Sequence, residues 1–182
     1  NKLLTLEFLR KDLTSQTITV TKMGIEEVER IKKIFLNLNI SPNYLQHEEV
    51  ITSEEAAKTR GFDLRQGIKA LLFTNGENFV IINVPADQRV DKKKVAKNRG
   101  WSNSKARMAK VEEVEEQTGC LIGSVPPFGH KEKIHLLVDQ SIFENQISTF
   151  NIGLRTESVS LPTEKMKEVF ASENAELGEF IQ

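Results

Sequence analysis

Cysteine, tryptophan and tyrosine occur once each in this 182-residue chain, and no apolar run approaches the roughly 20 residues of a membrane-spanning helix. A lone Cys120 excludes an internal disulfide, fits a reducing, cytoplasmic setting and reads as a small core residue. No basic-apolar-small leader opens the sequence, which begins at Asn1 and so suits either a free-standing protein or a domain cut from a larger polypeptide. The three histidines, His47, His130 and His135, show no HxxH or HxxxH spacing and no CxxC accompanies them, so no zinc site is expected. There is no GxSxG elbow, no Walker loop and no GxGxxG after a strand, and no cofactor is expected. With 38% hydrophobic and 28% charged residues, the composition is that of one globular unit.

What is scarce is also concentrated. The chain has ten glycines and five prolines, yet "GSVPPFGH" places Gly123, Pro126, Pro127 and Gly129 within seven positions. Proline fixes φ and removes donors, while glycine lets the backbone approach a ligand closely. The stretch is therefore either a rigid helix-to-strand connection or a pocket wall with exposed N–H groups. Charge is just as uneven. Asp91 to Lys110 holds eight basic residues against one acid, a local +7 in a chain of net charge −1, which leaves −8 elsewhere. Lys92, Lys93, Lys94, Lys97, Arg99, Lys105 and Arg107 thus form either a solvated face over a core Trp101 or a footprint for a phosphate backbone.

Periodicity predicts a helix over 24–37 with Ile25, Val28, Ile31, Ile34 and Phe35 on one face. A strand follows in "YLQHEEV", then a helix capped at Thr52 or Ser53 and stopped by Gly61. "GIKALLF" and "FVIINVP" flank Asn75-Gly76 as a hairpin, both runs apolar enough to be buried on two faces. A basic helix from Asp91, a strand at "ARMA", an acidic helix closed by Gly119, further strands and a helix after Pro162 complete a mixed order. The last ten residues are expected to fray or add a helical turn, and residues 1–21 to form an arm outside a main domain over 22–182. Lys69, inside an apolar strand, either extends its amine to water or works in a cleft.

Taken in order, "HEEVITSEEAA", "GIKALLF", "INVPADQRVDKKKVAK", "ARMAKVEEVEEQTGCLIGSVPPFGH", "LLVDQSI" and "FNIGLRTESVSLP" resemble the YbaK/ProX superfamily of aminoacyl-tRNA deacylases, relatives of the editing insertion of bacterial prolyl-tRNA synthetase. The resemblance covers roughly residues 25–171. It implies an α/β fold with a curved, mixed, partly barrel-like sheet surrounded by helices. It also implies hydrolysis of the ester joining a wrong amino acid, such as alanine or cysteine, to tRNA(Pro). The family's lysine falls on Lys69 and its GxxxP loop on Gly123 to Pro127, which assigns Lys69 and Gly123 to catalysis. His47, Ser124, Val125, Pro126, Pro127, Phe128, Gly129, His130 and Asp139 are assigned to the substrate, and the basic segment to the acceptor stem of the aminoacylated tRNA. Prolyl-tRNA synthetase, in cis or in trans, is the implied protein partner. A catalytically silent tRNA-binding or synthetase-docking module of the same fold is the alternative. An aminoacyl ester is already activated, so placement, a polarised carbonyl and a water suffice without a protein nucleophile.

Overall fold

The computed structural model describes residues 23–182, so the expected arm over 1–21 lies outside the described residues. The first helix, α1 (Ile25–Asn37), buries Val28, Ile31 and Phe35; Ile25, expected on the same face, lies at its first turn and is exposed. β1 (Asn43–Gln46) leads to α2 (Ser53–Arg60). Thr52 and Glu55 begin α2 with a reciprocal capping box, and Gly61 ends it in the left-handed conformation.

β2 (Ile68–Thr74) and β3 (Phe79–Pro85) form the expected hairpin. Its loop spans residues 75–78 rather than a two-residue turn, because the Asn75 side chain accepts the N–H groups of both Glu77 and Asn78. α3 (Lys92–Arg99) starts at Asp91, whose carboxylate caps it, and is followed by β4 (Arg107–Met108) and the acidic α4 (Val111–Thr118). After the 119–134 loop come β5 (His135–Asp139), β6 (Ile147–Asn151), β7 (Glu157–Pro162) and α5 (Thr163–Ser172). The tail neither frays nor turns helical: β8 (Glu176–Gly178) adds to the sheet beside β5.

The strands divide into two sheets, neither of which closes. One is mixed, in the order β4-β2-β3-β5-β8, with β3/β5 and β5/β8 parallel and the rest antiparallel. The other is antiparallel, in the order β1-β7-β6. A single bridge between Gly67 and Thr149 joins them beside the start of β2.

β3 is buried on both faces, as its unbroken apolar run requires. Ile81 points into the larger core, shared with α1, β6, β7 and α5. Val80, Ile82 and Val84 point the other way, against Val95 of α3 and Phe180. Trp101 packs on the edge of that second cluster, so the only tryptophan serves packing beneath the basic helix. β2 is different: Lys69, Ala70 and Leu71 are only half-buried, and a cleft opens along this strand.

Candidate active site

The cleft, about 230 Å³, lies between α2, β2, β6 and the glycine-proline loop. That is below the roughly 300–1,000 Å³ of pockets for drug-sized ligands, a scale suited to a small group. Apolar side chains such as Ala56, Ala70, Leu72 and Val125 form much of its wall, and Ser53, Arg60, Lys69, Thr149 and Asn151 supply polar groups. Ile51, Met108 and Ile122 stand exposed at its rim.

Lys69 and Gly123, far apart in sequence, both line this cleft. The Lys69 ammonium donates to the Ala86 carbonyl at 2.9 Å. Partial burial pulls its pKa down, opposed by the negative charges of Glu54 and Asp87. Gly123 has φ +88, and a Cβ there would lie 2.7 Å from the Ile51 carbonyl oxygen, so both the conformation and the close approach require glycine.

The loop is held by side chains from four other segments. Arg155 donates to the Ile122 carbonyl, Asn151 to Gly123, Asn83 to Pro127 and Arg30 to Gly129. Ser124 turns inward and donates to Leu121, so its hydroxyl serves the turn. The Gly123 and Val125 N–H groups have no backbone acceptor among the described residues. This leaves two donors beside the cleft.

Several residues assigned to the substrate lie elsewhere. Phe128 is fully buried at the centre of the core, edge-on to Phe35, Phe150 and Phe170. Pro126 and Pro127 are buried behind the loop, and Gly129 packs over Ile31. His130 follows the loop on a side away from the cleft, with both ring nitrogens buried and without full hydrogen bonds among the described residues; burial drives its pKa down to about 4. The Asp139 carboxylate is buried at the end of β5, where it accepts the N–H groups of Ser141, Phe180 and Ile181, a structural clasp for the C-terminus. The departures within the loop share a cause. The loop turns inward after Val125, so only its first residues reach the cleft.

His47 does not line the cleft either, but it is linked to it: its Nε2 lies 2.6 Å from the Ser158 hydroxyl, which donates to Asn151 at 2.8 Å. Arg60, Thr149, Asn151 and Ser158 were not singled out in the sequence. Arg60 looks like an ordinary last-turn cation beside Gly61, whereas Asn151 and Ser158 fall within the "FNIGLRTESVSLP" motif without being marked by it. Cys120 is buried and its thiol is pushed up to about 12 by that burial, so it is no nucleophile. Among the described residues no group of three His, Cys, Asp or Glu side chains is placed to hold a metal.

The basic segment is exposed but not uniformly free. Lys92, Lys93, Lys97 and Lys105 reach solvent. Lys94 donates to the Ile181 carbonyl, Arg99 is half-buried, and Arg107 makes a two-pronged pair with Glu113 at 2.7 Å. That pairing raises the pKa of Arg107 and holds the Glu113 carboxyl down at about 2.

The family model of the aminoacyl-tRNA editing domain matches residues 47–169, a span that contains Lys69, Gly123 and Asn151. The chain belongs to the aminoacyl-tRNA editing family. Over 123 residues it is 38% identical to the multifunctional Ser/Thr-tRNA deacylase ProXp-y of Escherichia coli K12, covering 64% of this chain and 72% of that one. It is 30% identical over 93 residues to a proline–tRNA ligase of Thermosipho africanus, which spans 51% of this chain but only 16% of the ligase. A crystal structure of a candidate trans-editing enzyme for prolyl-tRNA synthetase superposes with a TM-score of 0.73 at 23% identity, covering 86% of this chain and 97% of the other. The fold class, the family and its deacylase chemistry thus agree with the resemblance read from the motifs.

Proposed function

We propose that this protein hydrolyses the ester of a misacylated tRNA, and that the amino acid it releases is small and hydroxylated, serine or threonine. The observation that carries this reading is the meeting of Lys69 and Gly123 at one small cleft. Lys69 holds the terminal adenosine of the tRNA or its phosphate. The N–H groups at the start of the loop polarise the ester carbonyl, where a developing oxyanion gains most from fixed donors. A water, activated by the free ribose hydroxyl of the substrate, adds to that carbonyl. The carbon–oxygen bond to the ribose then breaks, and the ribose oxygen takes a proton.

The wall of the cleft favours a hydroxylated side chain over the alanine or cysteine expected from the resemblance, because Ser53 and Thr149 bring hydroxyl groups to its lining. The named activity of the E. coli relative agrees. Exposed Lys92, Lys93, Lys97 and Lys105 contact phosphates of the acceptor stem, which positions the tRNA without reading its sequence. Prolyl-tRNA synthetase, in cis or in trans, is the implied partner, and the cytoplasm the place of action.

The test is deacylation of tRNA(Pro) charged with serine, threonine, alanine, cysteine or proline, and of seryl- and threonyl-tRNA, by wild type and Lys69→Ala. Misplacing the ester by about 1 Å can cost ~10²-fold in rate, so Lys69→Ala, which frees the terminal adenosine, should lose roughly that much with an unchanged melting temperature. Rapid release of alanine and not serine would restore the alanine or cysteine reading. Persistence of every charged species with retained tRNA binding would make the protein a binding module.

A further inference from the structure

Arg60 ends α2, the helix that forms one wall of the cleft, and its side chain lies inside that wall. Burial pulls the guanidinium down to about 10, so it remains cationic at neutral pH. Arg60 is half-buried; a cation withdrawn from water is ordinarily matched by a carboxylate, yet none lies within ion-pair distance of it among the described residues.

Instead Arg60 donates to two neutral oxygens on β6, the Thr149 hydroxyl at 3.4 Å and the side-chain carbonyl of Asn151. Its Nε is buried with no hydrogen-bond partner among the described residues. The donors of this half-buried charge are therefore directed at one short strand segment. The Asn151 carbonyl also accepts from Ser158, whose hydroxyl meets His47. With its oxygen taken by these two donors, the Asn151 amide has one orientation, and its nitrogen donates to the Gly123 carbonyl. Gly123 packs directly on Ile51 in the segment before α2, where a Cβ would lie 2.7 Å from the Ile51 carbonyl oxygen.

We propose that Arg60 is a positioning residue for deacylation, acting through Asn151 to hold the Gly123 loop at the working geometry of the cleft. This rests on the proposed reaction for its kinetic consequence, and on the hydrogen-bond chain alone for its structural one. A positive charge on the carbonyl of an amide polarises the whole group and strengthens the bond its N–H makes, so the link is stiffer than a neutral one. Lysine cannot reproduce it, because its single ammonium lacks the planar fork that reaches both Thr149 and Asn151.

The test uses Arg60→Ala and Arg60→Lys in two independent readouts. In hydrogen exchange, segments 121–126 and 149–152 should open faster in both variants while strand 79–85 stays protected. In deacylation, kcat should fall roughly 10- to 100-fold with KM nearly unchanged, the loss expected for a bond to a charged group that matters in the transition state. Guanidinium ion at a non-denaturing concentration should restore part of that loss to Arg60→Ala, which a collapsed wall would not allow. Unchanged exchange in 121–126, or unchanged kcat in both variants, overturns the proposal. If the wild type deacylates nothing while the exchange difference appears, the reaction assignment fails and the hold of Arg60 on the loop stands.

Discussion

The burial of His130 makes the stability of this protein depend on pH in a calculable way. Both ring nitrogens are buried and neither makes a full hydrogen bond among the described residues; burial, opposed in part by the nearby Pro126 carbonyl and reinforced by the charge of Arg30, lowers the pKa from 6.5 to about 4. In the folded protein the ring is neutral down to that pH, whereas in the unfolded chain it takes a proton below about 6.5. Above 6.5 both states are neutral and His130 contributes nothing pH-dependent. As pH falls from 6.5 to 4 the unfolded state alone binds the proton, so stability drops by up to 1.36 kcal/mol per pH unit, a total of about 3 kcal/mol.

Replacing the imidazole with a neutral ring, His130→Phe, removes this contribution and leaves the titration of the carboxylates in place. Urea unfolding of both proteins at pH 7, 6, 5 and 4 measures the difference directly. The wild type should lose about 2 kcal/mol more than the variant between pH 7 and 5, and about 3 by pH 4. Parallel loss in the two proteins would show that the folded state accepts a proton on His130 without strain, and the burial argument would be wrong. Deacylation by His130→Phe near neutral pH should be little changed, since the ring lies away from the cleft.

Two further outcomes follow from where side chains lie. Asp139→Ala should destabilise the fold by roughly 1–3 kcal/mol for the buried Phe180 N–H it strands, with smaller losses from the half-buried N–H groups of Ser141 and Ile181; a stable protein with selectively lost turnover would instead return Asp139 to the active site. Substituting Lys92, Lys93 and Lys97 together with Gln should weaken tRNA binding and flatten its salt dependence by up to about three counterions, measured as the slope of affinity against salt; an unchanged slope would place the acceptor stem elsewhere.

Much of this molecule was legible in one dimension. The amphipathic stripe of α1, the caps of α2 and α3 and the stop at Gly61 depend on residues within a few positions of one another, and they lie where the sequence predicts. Unbroken apolar runs likewise announced a doubly buried β3, and Lys69 stood out as the one cation in such a run. The motif order was enough to point to the family, and the glycine-proline stretch over 123–129 was conspicuous by its concentration.

Other features depend on contacts that no local window contains. Which part of the glycine-proline loop faces the cleft was settled by four anchors on distant segments, and these turn Phe128 into the core and carry His130 away from the site. The tail becomes a strand because β5 presents an open edge and Asp139 gathers the backbone that follows. Arg60 meets Asn151 only when α2 is laid against β6, where a surface-looking cation becomes half-buried. Local chemistry determined the elements, the candidate lysine and the candidate loop. Tertiary packing decided which side chains share the cleft, because burial and orientation are properties of neighbours that the chain brings together only on folding.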